Sequence, residues 1–403
     1  MEIKSSKERK VLVALFVSVT ISIVFESIFI DKISIFIIFL SLILLGKSEK
    51  KFLNPYYLFS PTPLSLLVYF NVADSYMLDL THDTYLLAII NMVAFIVTFM
   101  FTSSVKINKN ILNEKKNSNL FLKINALVLF VLALMGSVIP ALNSILWLFA
   151  IPAIVCSIKT KEKKMLILVA AYILLVTSIN LSKMQVLLYL ITFFISFEKF
   201  HMQSKKQGVW IKIFAILGIV FLVFSFSFAN KDRGKYDAEE GLSYYYSQGV
   251  EWNYDSALFL PYMYITTAWA NLQYVTESQN TRTYGLWVLK PFLGYLNLDK
   301  ELNLEKSYEL EPYSSFNTFT FVTVGYKDFG YWLSVLSPII IGFFVKKVYS
   351  RFLISDSPFD IATYIIFALA VAEMFFSNHF YMQSYPFTML ILRFGYKSVV
   401  KSI

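Results

Sequence analysis

The feature that most constrains this chain is the recurrence of apolar runs as long as a bilayer is thick. A spanning helix takes roughly 20 apolar residues, at 1.5 Å each across about 30 Å of hydrocarbon. On that measure the sequence predicts about twelve helices, near 11–30, 33–46, 55–72, 84–103, 120–138, 141–158, 165–181, 183–198, 209–229, 329–346, 359–377 and 382–396. The second and the last are short, and Pro61 and Pro63 interrupt the third. With 57% hydrophobic and only 16% charged residues among 403, a soluble fold has no use for so much apolar surface. The expected fold class is therefore an all-α polytopic membrane protein. Lys4–Lys10 followed by Val11–Ile30 imitates a signal peptide, but the apolar run is too long and lacks a small-residue cleavage site, which predicts a retained first helix.

Charge sets the expected orientation. A net charge of +9 in a soluble chain would suggest nucleic acid; among apolar spans it is explained by the positive-inside rule, and no nucleic-acid partner is expected. With the N-terminus inside, the segments 1–10, 47–53, 104–119, 159–164, 199–212, 346–358 and the tail hold 25 of the 36 Lys and Arg. The short outer turns hold Lys32 and Lys183, and 73–83 has three aspartates and no Lys or Arg. Both termini are thus expected in the cytoplasm, with the chain crossing the membrane many times.

That asymmetry places one long polar stretch, 230–328, outside. It divides the chain into an N-terminal bundle of about nine helices (1–229), an extracytoplasmic cap (230–328) and about three closing helices (329–403). Loops longer than about 15 residues are usually functional or disordered. This one holds 13 of the 26 tyrosines and has apolar runs at Leu258–Ile265 and Leu286–Leu298, which argues for a folded cap docked on the helices. It has no cysteine; Cys156, the single cysteine, lies in an apolar run and reads as a packing residue.

An outer cap has no access to ATP or nucleotide sugars, so any reaction there needs a substrate already activated and delivered by the membrane. No Cys/His cluster has metal-ligand spacing, and no Walker loop or dinucleotide-binding glycine pattern occurs. The absence of an Asp-x-Asp pair fits chemistry without a metal, and no cofactor is expected.

Three classes of residue can carry chemistry. Lys183 at the outer end of the eighth span, Arg233 just after the ninth, and Arg282 in Thr281-Arg-Thr-Tyr-Gly285 are candidates for binding phosphate. The plain alternative is a snorkelling cation or a surface salt bridge. Aromatics of the cap, Tyr284 among the substrate-binding candidates, can pack on sugar faces, though an interfacial belt accounts for many of them. Asp328, Glu311 and Asp255 are outer carboxylates expected at helix starts, where an N-cap is the ordinary role. Glu373 falls near the outer end of the eleventh span with His379 beyond it; Glu26, His82 and His201 are given no role.

At Phe316-Asn-Thr-Phe-Thr320, followed by Tyr326-Lys-Asp-Phe-Gly330, the chain resembles the oligosaccharide repeat-unit polymerases, the Wzy-type O-antigen and capsule polymerases. The layout is similar too: many helices, a large outer loop in the C-terminal half, then a few closing helices. Asn180-Leu-Ser-Lys183 is similar to a family position that is often Ser-Arg, with Lys in place of Arg. The resemblance implies a metal-independent, GT-C-like membrane glycosyltransferase. Its donor would be a growing glycan on undecaprenyl pyrophosphate, its acceptor a single repeat unit on the same lipid, and its partner a chain-length regulator protein. Lys183, Arg233 and Arg282 would hold the leaving pyrophosphate, Asp328, Glu311 or His379 would take the acceptor proton, and Asn317 would order the cap edge. A ligase that moves finished glycan shares this donor chemistry, and a lipid-sugar flippase is the rival outside the enzymes.

Overall fold

The computed structural model describes residues 6–49, 53–72, 79–104, 119–138, 147–160, 183–201, 258–278, 282–295, 298–302, 318–375 and 388–394, with isolated positions 167, 171 and 386. Among the described residues 87% are helical and none is in a strand, so the all-α expectation holds. The expected spans at 165–181 and 209–229 lie outside the described residues, apart from positions 167 and 171, as do all of 230–257 and 303–317.

The chain forms two compact units. The first gathers Met1–Ser103, Ala238–Lys347 and Ala370–Tyr385. It opens with α1 (Ser6–Phe25) and α2 (Ile28–Ser48), packed along each other. The break between them falls at Glu26, whose φ of 44° turns the chain. The seam is polar: the Ser22 hydroxyl donates to Ser34 Oγ (2.9 Å), and Ser34 donates to the Ser18 carbonyl (3.1 Å). The opposite faces carry Phe16, Val17, Val24, Phe29, Phe36 and Leu44 in the open. Small polar residues inside and large apolar ones outside is the arrangement of helices packed in lipid.

Beyond α2, Asn54 ties the next turn down, its Oδ1 accepting from the Tyr56 and Tyr57 amides and its Nδ2 donating to the Gly46 carbonyl. The run 55–72 is broken as Pro61 and Pro63 predict, into α3 (Pro55–Phe59) and α4 (Pro61–Val72). Both pack on α2, and α5 (His82–Phe101) packs on α1 and α2.

Within 230–328 the structure shows α9 (Phe259–Ser278), α10 (Leu286–Tyr295) and the short α11 (Leu298–Glu301). α9 is no surface element: Met263, Trp269, Ala270 and Leu272 are fully buried, and the helix packs on α4 and α5. The Trp269 indole N–H donates to Ser65 Oγ at 2.9 Å, which meets the need of a buried polar tip. α12 (Phe321–Leu333) starts eight residues before the expected helix start at 329 and continues beyond a sharp bend into α13 (Leu336–Ile354). Its first amide, Phe321 N–H, donates to the Met374 carbonyl, so the entry is fixed by tertiary contact.

The second unit gathers Ser104–Asp237, Val348–Leu369 and Pro386–Ile403. Here α6 (Asn119–Val138) and α8 (Lys183–His201) pack on α7 (Ala150–Thr160) around Phe130, Ala133, Ile154, Ile158, Tyr189 and Phe359. Phe359 belongs to α14 (Pro358–Ala372). Lys199 Nζ donates to the Phe352 carbonyl at the end of α13, and Lys159 Nζ to that of Asp356. Cations there oppose the negative end of the helix dipole. Asp360, buried, is held by Arg351 (2.9 Å), by Arg393 and by the Ser355 hydroxyl. Lys159, Lys199, Arg351 and Arg393 thus all bind within residues 352–360, around the turn from α13 to α14.

Two helices, α2 and α5, are long and apolar enough to cross a membrane; the pair α12–α13, bent by 118°, makes a third if counted as one span. That is short of about twelve, a count reached by assigning roughly 20 residues to each run. The physical reasons are local. Prolines split one run, α14 ends after 15 residues, α7 after 11, and the count covers the described residues alone.

Candidate functional site

The Asp-Phe-Gly motif lies at the kink in α12. Gly330 has φ 79° and ψ −171°, a backbone conformation that essentially only glycine adopts without strain. A helix broken there leaves carbonyls of the preceding turn without their usual partners. The turn before α10 takes them up. Arg282 Nη1 donates to the Tyr326 carbonyl (3.1 Å), the Thr283 amide to that of Lys327 (3.3 Å) and the Tyr284 amide to that of Asp328 (3.1 Å). Tyr284 (φ 49°) and Gly285 (φ 91°) both turn left-handed to reverse the chain into α10. Tyr284 is left 83% exposed at the tip.

Asp328 sits in the third turn of α12 and is fully buried, where the sequence places it at a helix start. Its Oδ1 accepts from the Thr283 hydroxyl (2.5 Å) and from the Trp287 amide (3.0 Å). It therefore does cap a helix, but the helix is α10, from across the interface. A carboxylate at that end meets free N–H groups and the positive end of the helix dipole.

Arg282 is half-buried. Its guanidinium lies over the Tyr326 ring, Cζ 4.6 Å from the centroid, and against the Gly330 backbone. No carboxylate among the described residues pairs with it. The Tyr326 hydroxyl donates in turn to the Thr276 carbonyl of α9 at 3.3 Å. Beside it Lys327, only 2% exposed, holds Nζ 3.8 Å from the centre of the Trp287 indole. The result is two cations, one carboxylate and an exposed tyrosine on one interlocked pair of turns.

Of the residues singled out in the sequence, the structure brings together Arg282, Tyr284 and Asp328. Lys183 begins α8, and its side chain is outside the described set; Arg233, Glu311, Asn317 and His379 lie outside it altogether. Glu373 is buried, one residue past α14.

Two groups escape sequence reading. Lys327 is one; adjacent to a recognised motif, it gives no sign in the sequence of being buried. The other is His82, the first residue of α5, whose Nδ1 lies 2.8 Å from Oδ2 of the fully buried Asp31 of α2. Fifty-one residues separate them, and no local spacing reports such a pair. Tyr331, next to Gly330, donates its hydroxyl to the Asp83 carbonyl at 3.0 Å, tying the kink to the same end of α5. On α9, Gln273 accepts from the Thr81 amide (3.0 Å). Among the described residues no three His, Cys, Asp or Glu side chains gather as a metal site requires. Comparison of the chain with family models, with curated proteins and with solved structures found no match.

Proposed function

We propose that the chain is a membrane glycosyltransferase that polymerises undecaprenyl-pyrophosphate-linked repeat units into a surface polysaccharide, O-antigen or capsule. In this reading about twelve spans form a GT-C-like bundle in the bacterial inner membrane, and 230–328 caps its outer face. A chain-length regulator is the expected protein partner. The reading is supported by the motif at Asn317–Thr320 and Asp328–Gly330 and by the alternation of apolar runs and basic turns.

The observation that carries it is Arg282. A guanidinium stacked on Tyr326, braced by a main-chain carbonyl and lacking a carboxylate partner among the described residues, is suited to an anionic ligand. A lipid pyrophosphate is already a good leaving group; it needs positive charge and hydrogen bonds as the glycosidic bond breaks. Asp328 serves here as the residue that pins the Arg282 turn to α12. Lys183 and Arg233 remain proposed phosphate ligands, Tyr284 a sugar contact and Asn317 an ordering residue, and Glu311 and His379 are candidates for the acceptor proton.

The test replaces Arg282 by Ala and by Lys. Losing one donor to a developing charge costs roughly 3–4 kcal/mol, a hundredfold or more in rate. Arg282→Lys keeps the charge but loses the fork, so it stays clearly impaired. Cells carrying folded Arg282→Ala should accumulate single lipid-linked repeat units and little long glycan. Long glycan retained on the lipid indicates a ligase, and single units stranded on the inner face indicate a flippase. Normal polymer in Arg282→Ala cells refutes the site.

A further inference from the structure

We infer that His82, oriented by Asp31, is the general base that takes the proton of the attacking acceptor hydroxyl; this rests on the glycosyltransferase reading above. An imidazole is suited to this work when one nitrogen is fixed by a carboxylate and the other faces the reacting group. His82 meets both conditions. Its Nδ1–H donates to Asp31 Oδ2 at 2.8 Å, and Nε2 makes no hydrogen bond among the described residues. The side chain of His82 is 19% exposed, that of Asp31 not at all. The second oxygen of Asp31 is buried with no hydrogen-bond partner among the described residues. A carboxylate so placed depends on the imidazole for its compensation, and it stabilises the imidazolium formed when His82 gains a proton. The pair lies at the N-terminal ends of α2 and α5, two helices apolar enough to cross a membrane, and ionisable groups in such segments are functional candidates by default.

Placement points the same way. Gly330 lies against the Arg282 guanidinium, and the next residue, Tyr331, bonds to the main chain of Asp83, the neighbour of His82. Two consecutive residues of α12 thus touch the proposed leaving-group cation and the residue next to the imidazole. Among the described residues, Asp31 of α2 is the titratable group in contact with the imidazole; Tyr85 of α5 and Tyr331 of α12 lie within electrostatic reach of Asp31, Asp79 within reach of Tyr85, and Asp83 within reach of Tyr331. From α1, Ser22 approaches Asp31.

In the step, the acceptor oxygen forms a bond to the anomeric carbon of the donor glycan. The bond from that carbon to the pyrophosphate oxygen breaks, and its electron pair leaves on the pyrophosphate beside Arg282. The hydroxyl proton passes to His82 Nε2 and then to water, with Asp31 as the positioning residue throughout.

The experiment uses the full chain in membranes, given the lipid-linked oligosaccharides that accumulate in a strain deleted for it. His82→Ala and His82→Gln should lose roughly 100- to 10,000-fold in elongation rate, the usual range for general-base catalysis. Gln keeps a donor for Asp31 but cannot accept a proton, so a folded, monodisperse His82→Gln protein separates chemistry from stability. Free imidazole should partly rescue His82→Ala, and the ascending limb of the wild-type pH–rate profile should vanish in both variants. Asp31→Asn should slow elongation and move that limb, with the imidazole ¹⁵N signals of His82 shifting in the same protein. His201→Ala is the control and should behave as wild type. An active wild type with equally active His82→Gln overturns the inference alone, as does loss of the limb in Glu311→Gln with His82→Gln unaffected. A wild type that elongates nothing overturns the glycosyltransferase reading and this step with it.

Discussion

Asp328, on α12, caps α10 by accepting the Trp287 amide at 3.0 Å, forty-one residues back along the chain. The same oxygen takes the Thr283 hydroxyl, so a single carboxylate fixes both the turn that carries Arg282 and the helix that follows it. The motif is thereby a joint between two helices before it is anything chemical.

This joint is testable by two replacements at Asp328. Asp328→Asn keeps an acceptor oxygen and loses the charge, and should cost about 1 kcal/mol; Asp328→Ala strands the buried Trp287 amide and the half-buried Thr283 hydroxyl and should cost about 3 kcal/mol. Thermal unfolding of the detergent-solubilised protein, followed by tryptophan emission, should rank them in that order. Equal stability of wild type and Asp328→Ala would refute the cap.

Gly330 makes a second test. A Cβ there would be strained at φ 79° and would lie 3.2 Å from Arg282 Nε and 3.3 Å from Cζ. Gly330→Ala should cost about 1–3 kcal/mol and push the guanidinium off the Tyr326 ring. Elongation should fall by more than the loss of folded protein accounts for. Activity that tracks folded protein alone would mean that the kink shapes the helix and nothing else.

Orientation is tested by labelling with a membrane-impermeant thiol reagent, in a Cys156→Ser background that removes the buried native thiol. Tyr284→Cys, at the exposed tip of the Arg282 turn, should label in intact spheroplasts. Glu49→Cys, just past α2 in a basic turn, should label only after permeabilisation. The reverse pattern would put the turn in the cytoplasm and remove the argument for a donor delivered ready-activated at the outer face.

What the sequence by itself determined is what depends on neighbours along the chain. Apolar runs predicted helices, and the prolines at 61 and 63 marked the break between α3 and α4. Arg282, Tyr284 and Asp328 were legible because cations, aromatics and carboxylates stand out in an apolar chain. Their relation was not. That Asp328 caps α10, that α12 begins at Phe321 on the Met374 carbonyl, and that His82 finds Asp31 were settled only when the helices packed. A buried donor must find an acceptor wherever packing brings one, and that distance in space leaves no trace in residue spacing.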